Sequence, residues 1–223
     1  MYDPKINEVY LQQYYCTLAH LLKTADVEKK DFFAYIEAGC LPQHSYEWKE
    51  NFTLHSFLST QRCSNKIIYY YHPRHLLLLH DLVILHRYMP LIEIAQAWSA
   101  DFKQHYLTKL KELDAFADVL QGYDSAQTET FLENEWQRYL QGIYGTCSRD
   151  PTPENIALQE VLLRRVRSMT SEGAKEALSA EESRALKQAL GVLEAILAPF
   201  APYELAESPR GKWVSAMRAK YSL

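Results

Sequence analysis

The sequence predicts an all-α protein, a small helix-turn-helix unit over residues 1–66 packed on a larger helical bundle over 67–223. Three observations carry this. Apolar residues recur at three- and four-residue spacings through the last two-thirds of the chain. Helix-start signatures stand at Thr152-Pro153-Glu154-Asn155 and at Ser179-Ala180-Glu181-Glu182. Only seven of 223 residues are glycine, far below the roughly 7% of an average protein, which disfavours a turn-rich sandwich or barrel and any glycine-lined phosphate loop.

Taken in order, Thr17-Leu18-Ala19-His20-Leu21-Leu22 begins a short helix and Thr24-Ala25-Asp26-Val27 makes a turn. Lys29 to Ala38 forms a second helix, closed by Gly39 before Leu41-Pro42. A small wing is expected near 44–68, with a polar loop at Gln61 to Lys66 as one boundary. A long helix runs from Pro73 to Met89, with Leu76, Leu79, Leu82, Val83 and His86 on one stripe and Pro90 ending it. Residues 91–120 make one or two helices carrying Ile94, Trp98, Phe102, Tyr106, Leu110, Leu113 and Phe116. Two further boundaries fall at Gly142 to Pro153 and at Met169 to Ser179. Between them a helix starts at Thr152-Pro153, with Leu158, Leu162, Val166 and Met169 on one face. The last predicted helix starts at the Ser179 capping box, buries Leu186, Leu190, Leu193 and Leu197, and stops at Pro199 and Pro202.

Composition excludes several functions. A net charge of −4 and a pI near 6.1 argue against a surface that attracts nucleic acid or anionic lipid everywhere. The charge is uneven. Residues 1–75 hold eight acids and eight bases, 76–150 eleven and six, and 151–223 nine and ten. Met1 to Tyr10 has no basic start followed by an apolar stretch, so no secretory signal is expected. The apolar segment Ile67 to Leu91 is interrupted by His72, Arg74, His75, His80, Asp81, His86 and Arg87, which suits a buried helix and not a membrane span. Cys16, Cys40, Cys63 and Cys147 form no CxxC pair, and a cytoplasmic chain keeps them as thiols.

Few residues point to chemistry. His72, His75, His80 and His86 lie close in sequence, yet on a helix His75 and His86 stand roughly 16 Å apart along the axis, too far to share an ion held at about 2 Å. No metal and no cofactor is expected. No GxSxG elbow is present, and Cys147 has no base near it in sequence. Arg210 has the planar fork that recognises carboxylate or phosphate. Tyr71, His72, Trp136, Tyr144, Cys147 and Arg210 are therefore the candidate ligand-binding residues, and the loops around Tyr71-His72, Tyr144 to Cys147 and Phe200 to Arg210 are expected to converge. Lys29 and Lys30, on the second helix, are the candidate nucleic-acid contacts. They share that helix with Glu28, Asp31 and Glu37, so the unit is neutral overall and DNA binding is disfavoured.

Two resemblances follow. The segment TLAHLLKTADVEKKDFFAYIEAGCLP resembles the first two helices of MerR-type and excisionase-type winged helices, with an alanine in the first helix, a small residue and Val in the turn, and a glycine before Leu-Pro. A broader set is similar to an uncharacterised bacterial family often titled "natural product biosynthesis protein". It comprises Tyr14-Tyr15, Leu41-Pro42 with Ser45-Tyr46, Tyr71-His72-Pro73, Gly142 to Cys147, Thr152 to Ile156, and Pro199 to Glu204 before Ser208-Pro209-Arg210. That resemblance implies a histidine where Tyr203 stands and a serine where Pro209 stands, so both departures weigh against a catalytic loop there. The expected function is that of a binding or regulatory protein with a degenerate MerR-like helix-turn-helix and a helical domain for a small molecule or a protein partner, a second copy of the chain among them. The alternative is an enzyme or accessory protein of small-molecule metabolism.

Overall fold

A computed structural model describes the backbone of residues 4–55 and 60–223 and the side chains of 5–50 and 66–223. The chain begins with α1 (Pro4–Tyr14), β1 (Cys16–Thr17), α2 (Leu18–Ala25) and α3 (Lys29–Glu37), followed by β2 (Tyr46–His55) and β3 (Thr60–Tyr71). Next come α4 (His75–Leu85), α5 (Leu91–Glu112), α6 (Phe116–Leu120), α7 (Ser125–Leu140) and α8 (Ile143–Cys147). The chain closes with α9 (Pro153–Met169), α10 (Ala180–Ile196), a π-helical turn at Gly211–Ser215 and α11 (Ala216–Tyr221).

Local chemistry explains the helix ends. Thr17 caps α2 by accepting the His20 amide, and Asp26 ends that helix in the left-handed conformation (φ 52°). Gly39, at φ 73°, turns the chain out of α3. Thr152 accepts the Asn155 amide and Pro153 occupies the first turn of α9. Both halves of the capping box form at α10, Ser179 with Glu182. The same box forms at α7 between Asp124 and Gln127, a helix that the apolar spacing alone does not announce.

The all-α expectation holds in its coarse form. The protein is mostly helical, about 65%, but it carries a three-stranded antiparallel sheet in the order β1-β3-β2. The loop expected at Gln61 to Lys66 is strand instead: Gln61 pairs with Leu54 and Lys66 with Glu50, across a bulge between Glu50 and Phe52. The hairpin is longer than a rudimentary wing, and β1 joins it through Cys16 opposite Tyr71 and Thr17 opposite Tyr70. The expected Pro73–Met89 helix covers only His75–Leu85, and residues 91–120 resolve into α5 and α6. Cys16, Cys40 and Cys147 are free thiols. The expectation for Cys63 lies outside the described side chains, and part of the Met1 to Tyr10 expectation lies outside the described residues.

Four packed clusters hold these elements. Leu21, Phe32, Tyr35, Leu41, Tyr71, Leu79, Leu82 and Ile94 join α2, α3, β3, α4 and the start of α5. Phe102, Tyr106, Leu110, Leu132, Trp136, Tyr139, Ile156 and Val161 join α5, α7 and α9. Leu186, Leu190, Leu193 and Leu197 anchor α10 on α9 and on Val214 and Met217. A small tyrosine cluster, Tyr10, Tyr15, Tyr46 and Tyr70 with Leu11 and Ala201, ties α1 and the sheet to the C-terminal segment. Trp98 packs against the first two clusters at once, so α5 is their common strut. Among the described residues, no helix is long and apolar enough to cross a membrane.

Candidate functional site

A cleft of about 390 Å³ opens where α4 faces α5 and α7. Its walls are aromatic, with Trp98 and Phe102 one helical turn apart on α5 and Trp136 and Tyr139 one turn apart on α7. The Trp136 and Tyr139 rings stack at 5.4 Å and 18°, and Phe102 packs against each at 5.3 Å. Leu78, Ile84 and Leu85 of α4 form the facing wall, and Pro151 and Pro153 one end. The polar groups are few. Asp81 and Asp101 stand on α4 and α5, and Arg74 lies where α4 begins. Arg74 donates to Asp150 at 2.8 Å and faces Tyr139, whose hydroxyl burial pushes up to about 12 against the pull of the guanidinium. The Cys40 thiol at the cleft edge donates to the Leu91 carbonyl at 3.3 Å, and burial pushes it up to about 11, so it is no ready nucleophile.

Arg74, Leu78, Tyr139 and Pro151 also line a second, inner space of about 10 Å³ with His72, His75, Ser45 and Gly145. Its histidine ring nitrogens all face backbone groups. The Arg74 amide donates to His72 Nδ1 at 3.1 Å, which leaves Nε2 to donate to the Arg149 carbonyl at 3.2 Å. His75 sits with Nδ1 3.0 Å from the His72 carbonyl and Nε2 2.9 Å from the Pro42 carbonyl. Burial holds His72 down at about 4 and His75 below its usual value, so both are neutral at pH 7. The Ser45 hydroxyl is buried without a hydrogen-bond partner among the described residues, while both nitrogens of His72 are hydrogen-bonded to the backbone and those of His75 face the His72 and Pro42 carbonyls, one of which accepts the single N–H of the neutral ring. This arrangement offers no general base for a Ser–His pair.

The other sequence-derived candidates are scattered. Tyr71 is buried among Phe32 and His75 at ring distances of 5.3 and 5.2 Å. The Tyr144 hydroxyl donates to buried Glu135, which also pairs with Arg138 at 3.0 Å. Cys147 is half-buried, donates to the Ile143 carbonyl at 3.3 Å, and has its thiol raised by burial. Arg210 is spent on the C-terminus of α10, donating to the carbonyls of Glu194, Leu197 and Ala198 at 2.5–2.9 Å, so its fork meets backbone oxygens instead of a ligand anion. Lys30 pairs with Glu28 at 3.0 Å, both strongly exposed, and Lys29 lies 5.9 Å over the Phe33 ring. Among the described residues no three His, Cys, Asp or Glu side chains gather as metal ligands.

The three loops meet around Tyr15 and not around the cleft. Its hydroxyl donates to the Gly145 carbonyl at 3.1 Å and its ring meets His72 at 6.3 Å and Tyr46 at 4.9 Å. The Tyr46 hydroxyl in turn donates to Glu204. Of the candidate residues only Trp136 lines the aromatic cleft. Trp98, Phe102, Tyr139, Arg74, Asp81 and Asp101 are additions from the structure. The pairs Trp98/Phe102 and Trp136/Tyr139, spaced for one helix face, are the signal that points to them.

Residues 98–222, more than half of the chain, match a family of unknown function (DUF6058), and the chain belongs to that family. The matched region holds all four aromatic wall residues, beginning at Trp98, whereas α4 and Arg74 lie outside it. No curated protein and no solved structure matches the chain.

Proposed function

We propose that the protein is a non-catalytic binding protein that holds a small organic molecule in the cleft between α4, α5 and α7. One observation carries this reading: four aromatic side chains from two helices converge on a concave site of about 390 Å³ with only a few polar groups, the make-up of small-molecule pockets, which run from about 300 to 1,000 Å³. The cleft also joins α4, which packs on the α2–α3 core, to the family region, so an occupant bridges both. The engaged histidines and the raised thiols weigh against a catalytic role. The test is a thermal-shift and tryptophan-fluorescence screen of small organic compounds on the full chain. Compounds that bind saturably to the wild type and lose binding in Ile84→Arg, which fills the mouth from an exposed position (43%), support the reading. Binding that is insensitive to Ile84→Arg removes it.

A DNA-responsive role for the N-terminal unit is the second reading. What favours it is the order α1-β1-α2-α3-β2-β3 with sheet order β1-β3-β2, the layout of a winged helix, together with the MerR-like segment. Charge weighs against it, because Glu28 neutralises Lys30 and α3 carries Asp31 and Glu37 beside its two lysines. A gel-shift series at falling salt decides. Absence of any shift at the lowest salt ends the reading, and a shift lost in the Lys29→Ala/Lys30→Ala pair supports it.

A further inference from the structure

We propose that the α4–α5–α7 cleft selects an organic cation, an ammonium group on an apolar body; this rests on the cleft being a small-molecule site. The walls supply the first half of the argument. Trp98, Phe102, Trp136 and Tyr139 present π-systems whose faces are electronegative and attract cations, most of all where water is excluded. Phe102, Trp136 and Tyr139 are 4%, 6% and 8% exposed, so what surface they keep is set in a poorly hydrated floor.

The rim supplies the second half. Asp81 and Asp101 line the cleft from α4 and α5, with side chains 66% and 67% exposed. Arg74 is the only basic side chain among the lining residues and is already paired with Asp150. The neighbours of the two aspartates are imidazoles outside the lining, His80 and His105, each 3.2 Å away. A ligand ammonium therefore meets two carboxylates at the mouth and aromatic side chains below. A carboxylate ligand would meet the same two charges as repulsion, and a neutral ligand gains only the apolar contact.

Three probes of similar body and different charge test this on the full chain: benzyltrimethylammonium, benzyl alcohol and benzoate. Saturable change in tryptophan emission is the readout, since Trp98 and Trp136 line the site. The expected order is the cation about tenfold or more tighter than the alcohol, with benzoate weakest. Asp81→Asn/Asp101→Asn changes two exposed side chains and brings the cation down toward the alcohol's affinity. Equal binding of cation and alcohol, or a cation affinity indifferent to the double variant, overturns the charge selection and leaves the cleft reading standing. Failure of all three probes to give a saturable response overturns both.

Discussion

Gly145 shows how closely single residues set this molecule's shape. A methyl group added there collides with the Ser45 hydroxyl and comes within 3.3 Å of His72 Cβ, at the point where α8 presses on the β2–β3 hairpin entry. Gly145→Ala gains helix propensity of about 1 kcal/mol but overpacks, which typically costs about 1–3 kcal/mol. A net loss of stability is expected from urea unfolding. Ser45→Ala removes the obstructing oxygen, and its Cβ stands an ordinary 3.7 Å from the added methyl. Ser45→Ala/Gly145→Ala is therefore expected to recover the loss, a coupling that a double-mutant cycle measures directly. Additive losses would mean that the clash is not with Ser45. His72 gives a second residue-scale expectation. Burial sets its folded value at about 4, below the ordinary 6.5. A histidine held neutral in the folded state favours folding fully above 6.5. As pH falls from 6.5 to about 4 the unfolded chain takes up a proton that the folded chain refuses, and stability declines. His75, also lowered, adds in the same direction. The unfolding free energy from urea titrations is expected to fall between pH 7.5 and pH 4.5 by roughly 2 kcal/mol or more for the wild type and by clearly less for His72→Gln.

At the scale of elements, the end of α10 depends on one side chain from a distant loop. A helix leaves its last carbonyls without partners, and those of Glu194 and Leu197, with Ala198 just beyond, are taken by the Arg210 guanidinium. Arg210→Ala is expected to destabilise the fold by about 2 kcal/mol, the scale of charge-assisted hydrogen bonds. Arg210→Lys should recover only part of it, because an ammonium lacks the planar fork that reaches three oxygens. Full rescue by lysine in thermal unfolding would show that charge alone matters there. This contact also explains which elements the sequence makes legible. α9 and α10 carry their own start signals and a regular apolar stripe, so local chemistry defines them. α7 carries an equal signal in Asp124-Ser125-Ala126-Gln127, but its stripe is broken by Glu135, whose burial makes sense only once Tyr144 and Arg138 are in place. β2 and β3 depend on pairing with each other and with β1, including partners more than fifty residues apart such as Cys16 and Tyr71. The cleft was hidden for the same reason, since its walls come from α5 and α7, whose aromatic pairs are more than thirty residues apart in the chain.

For the whole molecule, α5 is the decisive member. Its 22 residues span about 33 Å. Ile94 lies in the core with α2, α3 and α4, while Phe102, Tyr106 and Leu110 lie in the core with α7 and α9. The family region begins at Trp98, inside this helix and at the seam of the two cores. Contacts across the seam are numerous in kind: Gln43 amide to Leu140 carbonyl at 2.7 Å, Tyr15 to Gly145, Arg74 to Asp150, and Tyr46 to Glu204. A continuous helix buried at both ends transmits loss of packing from one core to the other, so the two are expected to unfold together. Leu82→Ala deletes a fully buried side chain of the N-terminal core and should cost about 2–5 kcal/mol. Its effect should appear equally in far-ultraviolet circular dichroism, which reports every helix, and in the fluorescence of Trp213, which packs in the α9–α10 cluster, isolated by replacing the other three tryptophans with phenylalanine. Coincident transitions that shift together support one cooperative unit. A variant in which the circular dichroism splits into two steps while Trp213 keeps the unshifted midpoint would show that the α9–α10 cluster stands on its own.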